Sequence, residues 1–117
     1  MTLLLVLVGG AVGAPTRYLT DLVVQRWHGT KFPWGTWTVN VVGSLILGVV
    51  TAAGPPWVVT LAGTGFCGAL TTFSTFGYET VRLAEEGDAS AAVWNVGGSL
   101  AAGLAAATVG WMLGSAL

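Results

Sequence analysis

Apolar residues run almost unbroken along this chain, and the polar ones collect in a few short interruptions. No Asp, Glu, Lys or Arg occurs from Phe32 to Tyr78, nor from Ala89 to Leu117. Each run exceeds the roughly 20 residues that one membrane-spanning helix needs, and the first is long enough for two. The pattern predicts an all-α integral membrane protein, a single domain over 1–117 with four transmembrane helices near 2–25, 33–53, 57–82 and 89–114.

The interruptions supply the connectors. Arg26, Trp27, His28, Gly29, Thr30 and Lys31 read as a wet, basic connector in which His28 is a loop histidine, with Trp27 and Trp34 as interface aromatics. Gly54, Pro55 and Pro56 cannot continue a helix, so the third span starts near Trp57. Glu85, Glu86, Gly87 and Asp88 form an acidic turn before the fourth. The opening LLLVLVGGAVGA resembles a signal-peptide core, but it lacks a positive n-region and the rest of the chain is equally apolar, so it is read as the first span. Pro15, Thr16 and Arg17 interrupt its apolar run, and Asp21, four residues beyond Arg17 on the same face, is placed to neutralise it. Four spans put both termini and the 54–56 turn on one side of the membrane. Arg26, Lys31 and Arg82 lie on the other, which the positive-inside rule makes cytoplasmic.

Composition agrees with this reading: charged residues are 8% of the chain and mean hydropathy is +0.78, far from the roughly 25% charge of soluble domains. A net charge of -1 gives no case for a nucleic-acid partner. The single Cys67 cannot form an intrachain disulfide or a multi-cysteine metal site and reads as buried filler. Gly9 with Gly13, and Gly110 with Gly114, recur at the spacing that lets helix backbones approach closely in lipid.

One stretch departs from the pattern. In GFCGALTTFSTFGYE, Gly65 to Glu79, the residues Gly68, Thr71, Thr72, Ser74 and Thr75 crowd a few turns of the third span. Glycine and β-branched or hydroxyl residues weaken a helix, so a break is expected here. A break survives at membrane depth where it is buried in protein or lines a watery or ion-filled cavity, and unwound carbonyls there can hold a cation. In span two, Thr36, Asn40 and Ser44 recur every four residues as a polar ladder, and Asn95 and Ser99 repeat the spacing in span four, where the next step is Gly103. Side chains of these types also bond across helices or back to their own backbone. Phe73 and Phe76 share one face among hydroxyls. The positive edge of an aromatic ring beside amide and hydroxyl donors can face a small anion without trapping it.

Three segments, GGAVGAPTRY (Gly9 to Tyr18), GTWTVNVVGS (Gly35 to Ser44) and GFCGALTTFSTFGYE, resemble the signature segments of the bacterial fluoride channel family, Fluc or CrcB proteins. The resemblance covers nearly the whole chain in order. It implies four-helix subunits paired antiparallel in a dual-topology dimer, with two fluoride pores and one structural Na+ at the centre that is not transported. It makes Gly68 and Thr71 the backbone-carbonyl ligands of that sodium. It makes Phe73 and Phe76 the pore aromatics and Asn40 the amide facing fluoride, with Thr36, Ser44, Ser74, Thr75 and Ser99 adding hydroxyls. Arg17 and Glu79 match the family residues at a pore mouth, or serve as interfacial anchors. The implied activity is passive, fluoride-selective export from the cytoplasm across the cell membrane. In span four the polar track of Asn95, Ser99 and Gly103 is thinner than in relatives. The Lys and Arg bias toward one side fits either a homodimer that tolerates it or a pair with an opposite-orientation relative.

Two other classes compete. A proton-coupled small multidrug exporter also uses four short spans, but it needs an intramembrane carboxylate to exchange protons, a role open only to Asp21. A non-transporting structural subunit held by glycine packing would tolerate replacement of Asn40 and Phe76. No enzyme is implied, since the acids cluster on a turn and no nucleophile–base pair is evident.

Overall fold

The computed structural model describes residues 1–29 and 32–117. The placing of Lys31 on the basic side falls outside the described residues. Four helical spans, each long and apolar enough to cross a membrane, make up the described chain: α1 (Thr2–His28), α2 (Trp34–Ala53), α3 (Pro56–Glu85) and α4 (Ala89–Ser115). They form a bundle of 46 × 28 × 23 Å, long enough to pass through the roughly 30 Å hydrocarbon layer and reach into both interfaces. Leu, Val, Trp and Met side chains cover much of the outer surface, Leu3, Leu22, Trp57, Val93, Leu104 and Met112 among them. Such a surface is stable against lipid and not against water.

α1 runs three residues further than the apolar pattern suggests. Arg26, Trp27 and His28 are helical and exposed, so His28 is a last-turn residue rather than a loop histidine. The stop is Gly29, whose φ of 80° is open to glycine at no steric cost and whose N–H closes on the Gln25 carbonyl at 2.7 Å. Basic Arg26 and His28 sit where the helix dipole is negative. Pro15 lies inside α1 without ending it, and Thr16 Oγ1 donates to the Val12 carbonyl at 2.7 Å.

α2 ends at Gly54, and Pro55 in an extended conformation turns the chain so that Pro56 opens α3. Pro is well placed there, because a first-turn N–H has no intrahelical acceptor. Between α3 and α4 the turn is made by Gly87 at φ 85°. Asp88 then caps α4, its carboxylate accepting from the Ala91 N–H at 3.0 Å.

α3 is not one regular helix. After a single α-turn at Pro56–Val58, residues Val59–Cys67 wind as a π-helix, and Gly68–Leu70 return to α geometry. Thr71 is extended, with φ −81° and ψ 159°, and helical winding resumes at Ser74–Glu85.

Glycines set the helix pairings. Gly9 and Gly13 of α1 lie against the backbone of Leu61 and Phe66 in α3, and Gly65 of α3 faces Val6 and Gly9 in return. Gly48 of α2 meets Ala107 and Trp111 of α4, while Gly110 and Gly114 of α4 meet Leu45 and Val49 of α2. A methyl group at any of these positions but Gly65 would overlap backbone atoms, and at Gly65 it would press tightly on the α1 backbone. Close backbone approach replaces the hydrophobic drive that water supplies to soluble bundles.

Candidate functional site

The interruption in α3 leaves backbone groups to be satisfied, and α2 satisfies two of them. The Asn40 Nδ2 donates to the Thr72 carbonyl at 3.0 Å, and the Thr72 N–H donates to Asn40 Oδ1 at 2.8 Å. One amide side chain thus stands in for both helical partners of one residue's backbone, in surroundings where an unpaired group costs several kcal/mol. The second limb of α3 is started by Thr72 as well, whose Oγ1 accepts from the Thr75 N–H at 3.2 Å and lies 3.4 Å from Ser74 Oγ.

Other carbonyls at the interruption stay open. Thr71 N–H makes the last bond of the first limb, to Cys67 at 2.9 Å, and Thr71 Oγ1 bonds back to the same carbonyl. Among the described residues no donor reaches the carbonyls of Gly68, Ala69, Leu70 or Thr71. Each of these successive carbonyl oxygens carries partial negative charge that no hydrogen of the described residues neutralises.

A cavity of about 360 Å³ adjoins the interruption. Asn40 and Ser44 from α2, Gly68, Thr71, Thr72, Phe73 and Phe76 from α3, and Ser99 from α4 line it, and no lining residue is charged. The Phe73 and Phe76 rings are tilted to one another at 53° with centroids 5.9 Å apart. Ser44 Oγ donates back to the Asn40 carbonyl at 2.8 Å. Among the described residues the buried Ser99 Oγ has no hydrogen-bond partner. An Asn side chain has two N–H donors, so Asn40 retains one beyond that given to Thr72.

A second chamber of about 180 Å³ lies on the other side of Thr72, lined by Arg17, Tyr18 and Asp21 of α1, Thr36 of α2, and Thr72 and Thr75 of α3. Thr72 therefore belongs to both chambers. Arg17 and Asp21 do not neutralise each other as their spacing suggests: among the described residues the one ion pair is Arg82 with Glu86, at 3.7 Å. Asp21 Oδ2 instead accepts from Gln25 Nε2 at 3.0 Å, and the carboxylate rests against Gly35, where any side chain would collide with it. Thr36 donates its hydroxyl to Glu79 Oε1, tying α2 to the second limb of α3.

A model of the family described as CrcB-like protein, Camphor Resistance (CrcB), matches residues 4–111. The chain belongs to the CrcB family. It is 54% identical over 127 residues to a protein of Frankia casuarinae named Fluoride-specific ion channel FluC 1, covering 100% of this chain and 98% of that one. A Streptomyces avermitilis protein of the same name is 51% identical over 122 residues, with 100% and 98% covered. A third, from Thermobifida fusca, is 49% identical over 119 residues, with 97% and 99% covered.

Within this CrcB protein the expected ladder of α2 is split between the chambers, with Thr36 at the smaller one and Asn40 and Ser44 at the larger. Thr75 and Arg17 join Thr36 at the smaller, and Ser99 joins the phenylalanines at the larger. Ser74 is exposed, and neither chamber includes Ser74 or Glu79. Sequence reasoning named Thr72 only among the helix-weakening residues of the third span and did not single out Thr80. Thr80 accepts from the fully buried Asn95 Nδ2 at 2.8 Å and so joins α3 to α4. The usable signal was Asn40 itself, because a membrane asparagine must find both a donor and an acceptor, and an interrupted helix offers both on the backbone of one residue.

Proposed function

We propose that this CrcB protein is a fluoride-selective channel of the cell membrane that lets fluoride leave the cytoplasm passively. The observation that carries the reading is the larger chamber, lined by the Asn40 amide, the Ser44 and Ser99 hydroxyls and the Phe73 and Phe76 rings with no full charge, although Phe73 is also 83% exposed. The spare Asn40 N–H and the unpartnered Ser99 hydroxyl can hydrogen-bond a small hard anion, and the Phe73 and Phe76 edges add weak positive potential. Binding of that kind lets an ion enter and leave, whereas a buried lysine or arginine would hold it. Relatives covering the full chain carry the name Fluoride-specific ion channel, and the fluoride specificity comes to this chain by that likeness.

The finer reading is an antiparallel dimer with a structural Na+ between two copies, or between this chain and an opposite-orientation relative. The undonated carbonyls at Gly68 and Thr71 fit such an ion, since a hard monovalent cation takes oxygen ligands. When bound, the ion supplies the positive charge those oxygens face. Arg17 would draw anions toward the smaller chamber from its rim, with Thr36 and Thr75 lining the way.

A proton-coupled exporter is the competing class. Vesicles loaded with fluoride and clamped at equal pH inside and out should still empty through this protein once charge is balanced by an ionophore. Efflux that requires a proton gradient would place the protein among exporters instead.

A further inference from the structure

We propose that the groove between the N-terminal ends of α2 and α4 is a binding site for a zwitterionic phospholipid whose headgroup ends in an ammonium. The groove, about 500 Å³, is lined by Phe32, Trp34, Trp37, Asp88, Trp94 and Gly98, with Ser90 and Ala91 at its rim. It lies apart from both chambers of the conduction site and shares no residue with them.

Its chemistry is graded along its length. Asp88 stands at the start of α4, and Gly98 lies about 15 Å deeper at the helical rise of about 1.5 Å per residue. The shallow end therefore holds a carboxylate and a serine hydroxyl at the level where a helix leaves the membrane, and the deep end is apolar. Such a gradient matches an amphiphile with a polar tip and an acyl chain, and a uniformly apolar partner helix would leave the carboxylate buried and unpaired. Asp88 gives one oxygen to the Ala91 N–H, and among the described residues its second oxygen has no partner.

The sign of the headgroup follows from the lining. Aromatic faces attract cations and favour ammonium groups in particular. Trp34 stands edge-on to Trp37 at 78°, with centroids 5.9 Å apart, and Phe32 lies 4.9 Å from Trp34. Trp37 is fixed by its Nε1–H, which donates to the Gly98 carbonyl at 3.4 Å. Trp94 forms the opposite wall and is 71% exposed, a large aromatic surface left open at the lipid boundary. Among the described lining residues the one charge is the Asp88 carboxylate, so an anionic headgroup meets repulsion and an ammonium meets attraction.

Native mass spectrometry of the full-length protein, released from membranes containing equal phosphatidylethanolamine and phosphatidylglycerol, tests this. The expected result is several-fold greater retention of phosphatidylethanolamine. Asp88→Asn, which keeps a good helix cap while removing the charge, should abolish the preference without lowering the melting temperature. Trp94→Leu should reduce retention of both lipids. Equal retention of the two lipids by the wild type, or an unchanged preference in Asp88→Asn, would overturn the proposal. So would efficient crosslinking between copies through Trp94→Cys in a Cys67→Ala background, which would show a second copy of the chain covering the groove.

Discussion

Asn40 and Thr72, 32 positions apart in the chain, exchange two hydrogen bonds, amide to carbonyl at 3.0 Å and peptide N–H to amide oxygen at 2.8 Å. The relationship makes one α2 side chain both a wall of the larger chamber and the partner of the α3 interruption. The fold and the proposed conduction path meet at that residue, and replacements separate the two roles.

Asn40→Asp keeps an acceptor for the Thr72 N–H but removes every donor and adds negative charge to the chamber. Fluoride throughput should fall by at least about tenfold, the factor that about 1.4 kcal/mol represents, while the assembled protein persists on size exclusion. Asn40→Leu also strands the Thr72 N–H and C=O, at about 1–3 kcal/mol per group. Its unfolding midpoint should drop well below that of Asn40→Asp.

Phe76→Ile removes an aromatic edge while keeping the side chain apolar, so it should lower throughput without disturbing assembly. Loss of assembly in this variant would place the phenylalanine in packing rather than in the pore. Ser99→Ala should likewise lower throughput at unchanged stability, because its hydroxyl has no partner to lose among the described residues.

Much of the architecture was legible in advance, and its limits were physical. Charge-free runs longer than a bilayer crossing mark spans whatever their packing, and Gly54-Pro55-Pro56 stops a helix through local sterics alone. Gly110 and Gly114 announce a close approach by their spacing, and they make it against Leu45 and Val49. The end of α1 was misread because Arg26 and His28 look like connector residues, yet basic side chains are also what the last turn of a helix accepts, and Gly29 is the true stop. The π-winding of Val59–Cys67 leaves no mark in composition. Arg17 and Asp21 have ion-pair spacing but do not pair, since Gln25 lies at the same spacing beyond Asp21 and takes the carboxylate. The ladder in α2 could show which face Thr36, Asn40 and Ser44 share, but a partner such as Thr72 depends on tertiary contact.

Gly35→Ala tests how Asp21 is held. Its Cβ would overlap the Asp21 carboxylate, and overpacking of this kind costs about 1–3 kcal/mol, read as a lowered unfolding midpoint. Asp21→Ala in the same chain should recover most of that loss, a non-additivity expected of groups in contact. Additive losses would show that Gly35 and Asp21 do not share the space.

Gly48→Ala should destabilise without changing ion preference. Its Cβ would meet the Ala107 carbonyl and lie 2.9 Å from the Trp111 nitrogen, so α2 and α4 must separate, away from the phenylalanines. A lower melting temperature with an unchanged fluoride-to-chloride ratio is the expected outcome of a paired melt and flux assay.

Crosslinking in cells lacking any relative tests the subunit arrangement. Contacts between oppositely inserted copies are expected if the chain forms its own dimer, and a single orientation would require a different partner subunit.

The most direct test of fluoride selectivity is ion efflux from vesicles reconstituted with the purified protein, followed with ion-selective electrodes after matched loading with fluoride or chloride. Rapid loss of fluoride with retention of chloride is the predicted result. Equal loss of both ions, or retention of both, would contradict it.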